Sequence, residues 1–149
     1  MRLEDEIKQK NFRNEYQKLA VNVFFTHGWL TGLHDELFRE FEITISQFNI
    51  LRILRGQHPN PASINLLKER MLDKMSDTSR LVERLRSKGL VKRKICLQDR
   101  RRAEVVITDK GLDLLKKIDS LNSQFDDLFK NISEEEAKTI NDILDKLRY

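Results

Sequence analysis

The stretch that decides the fold is Arg80-Leu-Val-Glu-Arg-Leu-Arg-Ser-Lys-Gly-Leu-Val-Lys-Arg-Lys-Ile-Cys-Leu-Gln-Asp-Arg-Arg-Arg-Ala-Glu-Val-Val-Ile107. Its first part has a helical period, with Leu81, Val82 and Leu85 on one side and charges between them. Gly89 stands where a helix end wants a residue that tolerates the left-handed conformation. After it the period changes. Leu90 to Leu97 reads as a strand, Gln98 to Arg102 as a polar tip, and Glu104 to Ile107 as the return strand.

The charge sits in the same place. Between Arg80 and Arg102 ten bases face only Glu83 and Asp99, a net of +8. The whole chain carries +4, so everything outside this window is net negative. Such a concentration suits a surface that docks on phosphates. A charge run is more often a plain solvated face; the local structure expected beneath this one raises the functional reading.

Upstream, a helix over about Met75 to Lys88 turns Thr78 inward along with Leu81, Val82 and Leu85. Leu72-Asp73-Lys74 reads as a turn. A short helix precedes it from about Ala62 to Arg70, with Ile64, Leu67 and Met71 inward. Before that, Thr44-Ile-Ser-Gln47 has the form of a capping box. The helix it opens buries Phe48, Leu51, Ile53 and Leu54, and ends at Gly56 and His58-Pro59-Asn60-Pro61. A further helix is expected from Glu4 to about Phe25, ending or bending near Gly28 to Gly32. Downstream, Thr108 caps a long helix whose stripe runs Leu112, Leu115, Ile118, Leu121, Phe125, Leu128, Phe129. Ser133 to Glu136 is a second capping box, and the last helix buries Ala137, Ile140, Ile143, Leu144 and Leu147.

Composition narrows the class. The 149 residues suffice for one domain with helical extensions, and 5 Gly with 2 Pro favour a mainly helical chain. No apolar run is long enough for a membrane span, and the N-terminus does not read as a secretory signal, so a cytoplasmic location is expected. One cysteine, Cys96, excludes an intrachain disulfide. There is no nucleophile–base pair, no Gly-rich phosphate loop and no paired His-Glu metal motif, so no enzyme and no cofactor are expected. The fold class is therefore mainly α with a small β-hairpin wing. Residues 1–40 and 112–149 read as N- and C-terminal dimerisation helices, and 41–111 as a winged helix-turn-helix domain. In that architecture the third helix presents polar side chains to the major groove. The hairpin tip reaches the minor groove or the backbone, where arginine meets a concentrated negative potential.

The segments Leu81 to Val91, Asp99-Arg-Arg101 and Val106-Ile-Thr-Asp-Lys-Gly111, together with Thr44-Ile-Ser-Gln-Phe48, resemble the MarR-type (multiple antibiotic resistance) regulators over about residues 40–115. The resemblance implies a homodimer intertwined through its terminal helices. It implies binding to double-stranded DNA at a pseudo-palindromic operator, often in repression, and release by a small-molecule effector or oxidation. It also places residues. Asp99 matches the aspartate that orders the wing, and Arg101 the arginine that enters the minor groove. Arg80 matches the arginine that follows a hydroxyl residue, here Ser79. Ser76, Asp77 and Ser79 are the base-edge candidates, with Ser76 or Asp77 as a mere helix cap the competing reading. Arg84, Lys92, Lys94, Arg100 and Arg102 complete the expected DNA-binding set, the wing bases as phosphate partners. The helix Ile64 to Met71 departs from the family by lacking its usual small alanine.

Other constellations carry less. Phe24, Phe25, Trp29 and Phe48 form a candidate effector pocket, although aromatics at helical spacing are more often ordinary core. His27 and His34, with Asp35 and Glu36, have no tight ligand motif, and no metal is assigned. Cys96 is read as a structural thiol. Two functions from different classes are consistent with the residues: a homodimeric sequence-specific DNA-binding regulator, and a winged-helix module that applies its basic face to an acidic protein partner. A steep salt dependence of DNA affinity separates them.

Overall fold

The computed structural model describes residues 2–95 and 103–149; Met1 and residues 96–102 lie outside the described set. In chain order the elements are α1 (Leu3–Glu6), α2 (Glu15–Phe38), a 3-10 turn (Arg39–Phe41), α3 (Ile45–Gln57), β1 (Ala62–Ser63), α4 (Ile64–Arg70), α5 (Thr78–Ser87), β2 (Val91–Ile95), β3 (Ala103–Ile107), α6 (Asp109–Asp119), α7 (Asn122–Asp127) and α8 (Glu134–Leu147). This is the mainly helical, winged architecture expected from the sequence.

The capping box opens α3 as its residues require. The Gln47 N–H donates to Thr44 Oγ1 at 3.2 Å, and the Thr44 N–H donates to Gln47 Oε1 at 3.1 Å. Two otherwise orphaned donors are satisfied. From there α3 runs through the middle of the core. Ile50, Leu51 and Leu54 are buried against Leu67 and Met71 of the α4 region, Val82 and Leu85 of α5, Val105 of β3, and Leu115 and Ile118 of α6. Phe38, the last residue of α2, belongs to the same cluster. Arg55 of α3 grips Asp119 of α6 with two hydrogen bonds, at 2.7 and 3.3 Å.

The sheet has the order β1-β3-β2, all antiparallel, with Val91 opposite Ile107 and Lys94 opposite Glu104. Between α5 and β2 the chain turns through a Schellman motif. The Leu90 N–H donates to the Leu85 carbonyl at 3.0 Å and the Gly89 N–H to the Arg86 carbonyl at 2.9 Å, with Gly89 at φ 73°. Buried Leu90 and Leu85 supply the apolar contact that accompanies it. Gly111 shapes the next corner. A Cβ there would lie 2.4 Å from the Leu90 carbonyl oxygen, so only glycine lets α6 start this close to the wing.

Several sequence expectations are corrected. The first long helix neither starts at Glu4 nor stops near Gly28 to Gly32. It starts at Glu15, where Asn14 accepts from the Gln17 N–H at 2.9 Å, and continues through both glycines to Phe38. Each glycine costs a helix only about 1 kcal/mol, which its neighbours outweigh. Ala62 and Ser63 form a strand on β3 instead of the first turn of α4, and Ser63 caps α4 by accepting from the Leu66 N–H at 3.1 Å. A two-residue strand leaves no period to read. The long helix after Thr108 is interrupted at Ser120–Leu121 and ends at Asp127. In the last helix Ile140, Ile143 and Leu147 are not buried by this chain but 44%, 55% and 56% exposed.

Candidate nucleic-acid interface

α5 is amphipathic in the required sense. Thr78, Val82 and Leu85 are buried, which leaves Ser79, Arg80 and Arg84 exposed on the far side. The helix begins at Thr78 and not near Met75, so Ser76 and Asp77 precede it. Asp77 is its N-cap and accepts from the Arg80 N–H at 3.1 Å. The Ser76 hydroxyl donates to Asp73 Oδ2 at 3.0 Å, while Asp73 Oδ1 accepts from the Met75 N–H at 2.9 Å. These local bonds give the turn its own hydrogen bonds and delay the helix. Asn49 of α3 secures the same turn by accepting from the Leu72 N–H at 2.9 Å.

Ser76, Asp77, Arg80, Leu81 and Arg84 line a shallow hollow of about 170 Å³ with Ser46 of α3. Ser46 is not among the expected interface residues; the capping box around it engages Thr44 and Gln47. Its signal is its place in the first turn of α3, a helix that packs on α5.

On the wing, Lys92, Arg93 and Lys94 are exposed on β2. They are not equivalent. Arg93 Nη2 lies 2.6 Å from Glu83 Oε1 of α5, and Arg86 Nε donates to Glu83 Oε2 at 3.1 Å. Among the described residues no ion pair engages Arg80, Arg84, Lys92 or Lys94. Two arginines of the basic window are thus held by an internal acid, while these four cations face solvent. Asp99, Arg100, Arg101 and Arg102, the expected wing tip, lie outside the described residues, as does Cys96.

The aromatic set is divided. Phe24, Phe25 and Trp29 stand exposed on α2, at 76%, 38% and 48%. Phe48 instead packs on the core, its ring 4.6 Å from that of Phe38. A separate cavity of about 490 Å³ opens at the base of the wing, among Phe41, Leu90, Leu114, Lys88, Lys110 and Lys117. There Lys110 donates to the Lys88 carbonyl at 2.8 Å, and the Lys88 ammonium donates to the Glu42 carbonyl. His34 is engaged in packing: its ring stacks on Phe125 at 5.3 Å, and Nδ1 meets the Leu30 carbonyl at 2.8 Å. Among the described residues no group of three or more His, Cys, Asp or Glu could hold a metal ion, and no helix is long and apolar enough to cross a membrane.

The arrangement offers a polar helix face and a neighbouring row of cations. Comparison with known proteins agrees with this geometry. The model of the MarR family matches residues 43–103. A MarR transcription factor from Planctomyces limnophilus is 27% identical, with 93% of this chain and 98% of that one covered and a TM-score of 0.69. A mutant MarR from E. coli, complexed with operator DNA, is 24% identical over 93% of this chain and 99% of that one, with a TM-score of 0.82. MepR from S. aureus, in a DNA complex, is 23% identical over 92% and 97%, with a TM-score of 0.75. The last two likenesses establish the fold.

Proposed function

With residues 43–103 matching the MarR family, we propose that the chain is a homodimeric, sequence-specific DNA-binding transcription regulator of the MarR type, acting as a repressor. The observation that carries this reading is the exposed face of α5. Ser79, Arg80 and Arg84 project from a helix whose other side is fully packed, next to the solvent-facing Lys92 and Lys94 of β2. In this reading α5 lies in the major groove and reads base edges, while the wing, with Asp99 ordering it and Arg100 to Arg102 at its tip, meets phosphates and the minor groove. Ser76 and Asp77 set the start of α5 and approach the DNA at its N-terminal end. The division of labour is 41–111 for DNA and 1–40 with 112–149 for dimerisation.

Dimerisation is supported by the apolar surface that the single chain leaves open: Leu19, Val23, Phe25 and Trp29 on α2, and Ile140, Ile143 and Leu147 on α8. Obligate interfaces commonly bury upwards of about 2,000 Å². Release from DNA by a small-molecule effector completes the proposal. Phe24, Phe25 and Trp29 would need a second copy to close over them, so an effector seat built on them would belong to the dimer and would not include Phe48, which packs on Phe38.

The test is selection of bound DNA from a random pool, followed by titration of the selected site at several salt concentrations. A pseudo-palindromic site with half-sites about one helical turn apart supports the regulator. Salt-insensitive binding and no enriched sequence would transfer the basic face to a protein partner.

A further inference from the structure

Glu83 is one of two acids in a window of ten bases, and among the described residues its pair with Arg93 is the ion pair that joins recognition helix and wing. Its Oε1 is shielded and accepts no aligned hydrogen bond, although the side chain as a whole is 42% exposed; the Arg93 guanidinium lies 2.6 Å from it as an ion pair. Its Oε2 takes the Arg86 Nε at 3.1 Å. Arg86 stands on the same helix, one turn along, so that contact fixes the carboxylate's direction. Arg93 stands on β2, so the other contact spans two elements. The covalent link between them is the Gly89 turn alone. Leu90 and Val91 already root the base of the strand in the core that holds Val82 and Leu85; the bridge adds an attachment further along β2 and so limits the wing's tilt about that base.

We infer that Glu83 is a positioning residue: it holds the wing at a fixed angle to α5 through Arg93, so that helix and wing engage one operator together. The inference rests on the DNA-binding reading above. It goes against the simplest electrostatic expectation. An acid among phosphate-facing bases repels DNA, and its removal by charge alone tightens binding to every sequence. A positioning role gives the opposite sign for the operator and leaves the sign for random DNA unchanged.

The experiment uses the full chain with Glu83→Gln, Arg93→Ala and the charge exchange Glu83→Arg with Arg93→Glu. Two readouts are taken. The first needs no DNA: amide hydrogen exchange of the free protein at 91–95 and 103–107, with 50–54 of α3 as the internal reference. The expected result is faster exchange in both strands for Glu83→Gln and Arg93→Ala, no change in α3, and return toward wild type in the exchanged pair. The second compares affinity for the selected operator and for random DNA. Glu83→Gln is expected to bind the operator about two- to fivefold more weakly. Its binding to random DNA is unchanged or stronger, and the salt slope rises by up to about one as Arg93 becomes free for a phosphate. Unchanged exchange in the strands, or an operator affinity that rises in parallel with that for random DNA, overturns the inference. If wild type shows no sequence preference while Glu83→Gln still loosens the hairpin, the bridge stands and the regulator reading fails.

Discussion

Replacing Gly111 by alanine tests the closest approach in the winged domain. Gly111 is buried in the first turn of α6, and a Cβ on it would lie 2.4 Å from the Leu90 carbonyl oxygen and 2.7 Å from Ile107 Cγ1. The isoleucine side chain can turn aside. The carbonyl cannot move freely, because it accepts the Thr108 N–H at 3.0 Å. Overpacking of this kind costs about 1–3 kcal/mol, and weakening the Thr108 bond adds about 1 kcal/mol. Alanine returns about 1 kcal/mol through its better helix propensity. The expected net loss is about 2 kcal/mol, which for a chain of this length lowers Tm by roughly 4–8 °C. Gly56→Ala is the control. It lies in α3 with no atom within 4 Å of the added methyl, so it should gain up to about 1 kcal/mol. Urea unfolding followed by circular dichroism, at one protomer concentration for all variants, measures both. A Gly111→Ala protein as stable as wild type would refute the argument from close approach.

Arg101→Ala should leave stability within about 0.5 kcal/mol of wild type while costing about 1–3 kcal/mol of operator affinity; unchanged affinity in fluorescence anisotropy rejects the wing assignment. Ile143→Asp, on the exposed face of α8, should shift the protein to monomer in sedimentation, and a dimer of undiminished affinity would place the interface elsewhere. Ser133→Ala should cost about 1 kcal/mol through loss of the α8 cap, read by thermal melting. The Ser133 backbone N–H and hydroxyl both donate to Glu136, at 2.8 and 3.1 Å, and hold its carboxyl below the ordinary 4.5. A lowered folded-state value stabilises above the unfolded value and is lost on acidification. Wild-type helicity of α8 should therefore decline as the pH falls below about 4.5, and Ser133→Ala, which keeps the backbone N–H and loses only the hydroxyl, should flatten that decline in part.

Much of the winged domain was legible because its signals are local. The Thr44 box, the Gly89 stop and the Thr108 cap each act within a few residues, and each forms as the sequence predicts. Three errors share one cause, which is that local signals were weighed without their competitors. Gly28 and Gly32 suggest an end or a bend, but the twenty-two other helical residues around them carry α2 through to Phe38. Met75 was placed in α5, but Asp73 captures the backbone and Ser76 first. β1 exists only because β3 presents an edge to Ala62 and Ser63, a non-local fact. For the interface, residue type identified which positions bear positive charge. The expected set holds Lys92 and Lys94 and not Arg93, but the pairing with Glu83 that sets Arg93 apart joins a helix to a strand through space and is not legible in residue type.

The terminal helices reveal what hydrophobic periodicity does and does not determine. The stripe of α8 is correctly placed on one face, yet no residue of that helix is buried in the single chain. A free helix of 14 residues is marginal in water, since nucleation is costly and each added residue gains little. The capping box contributes about 1 kcal/mol, and an exposed i,i+3 pair such as Asp145 with Arg148 only a few tenths. Burying an isoleucine or leucine side chain contributes about 1.5–3 kcal/mol, so covering Ile140, Ile143 and Leu147 outweighs every local device the helix carries. The same holds for Leu19, Val23, Phe25 and Trp29 on α2. Periodicity thus states that a face must be covered without stating by which chain. In the proposed dimer the second copy supplies that cover, and helix stability and association then become one equilibrium.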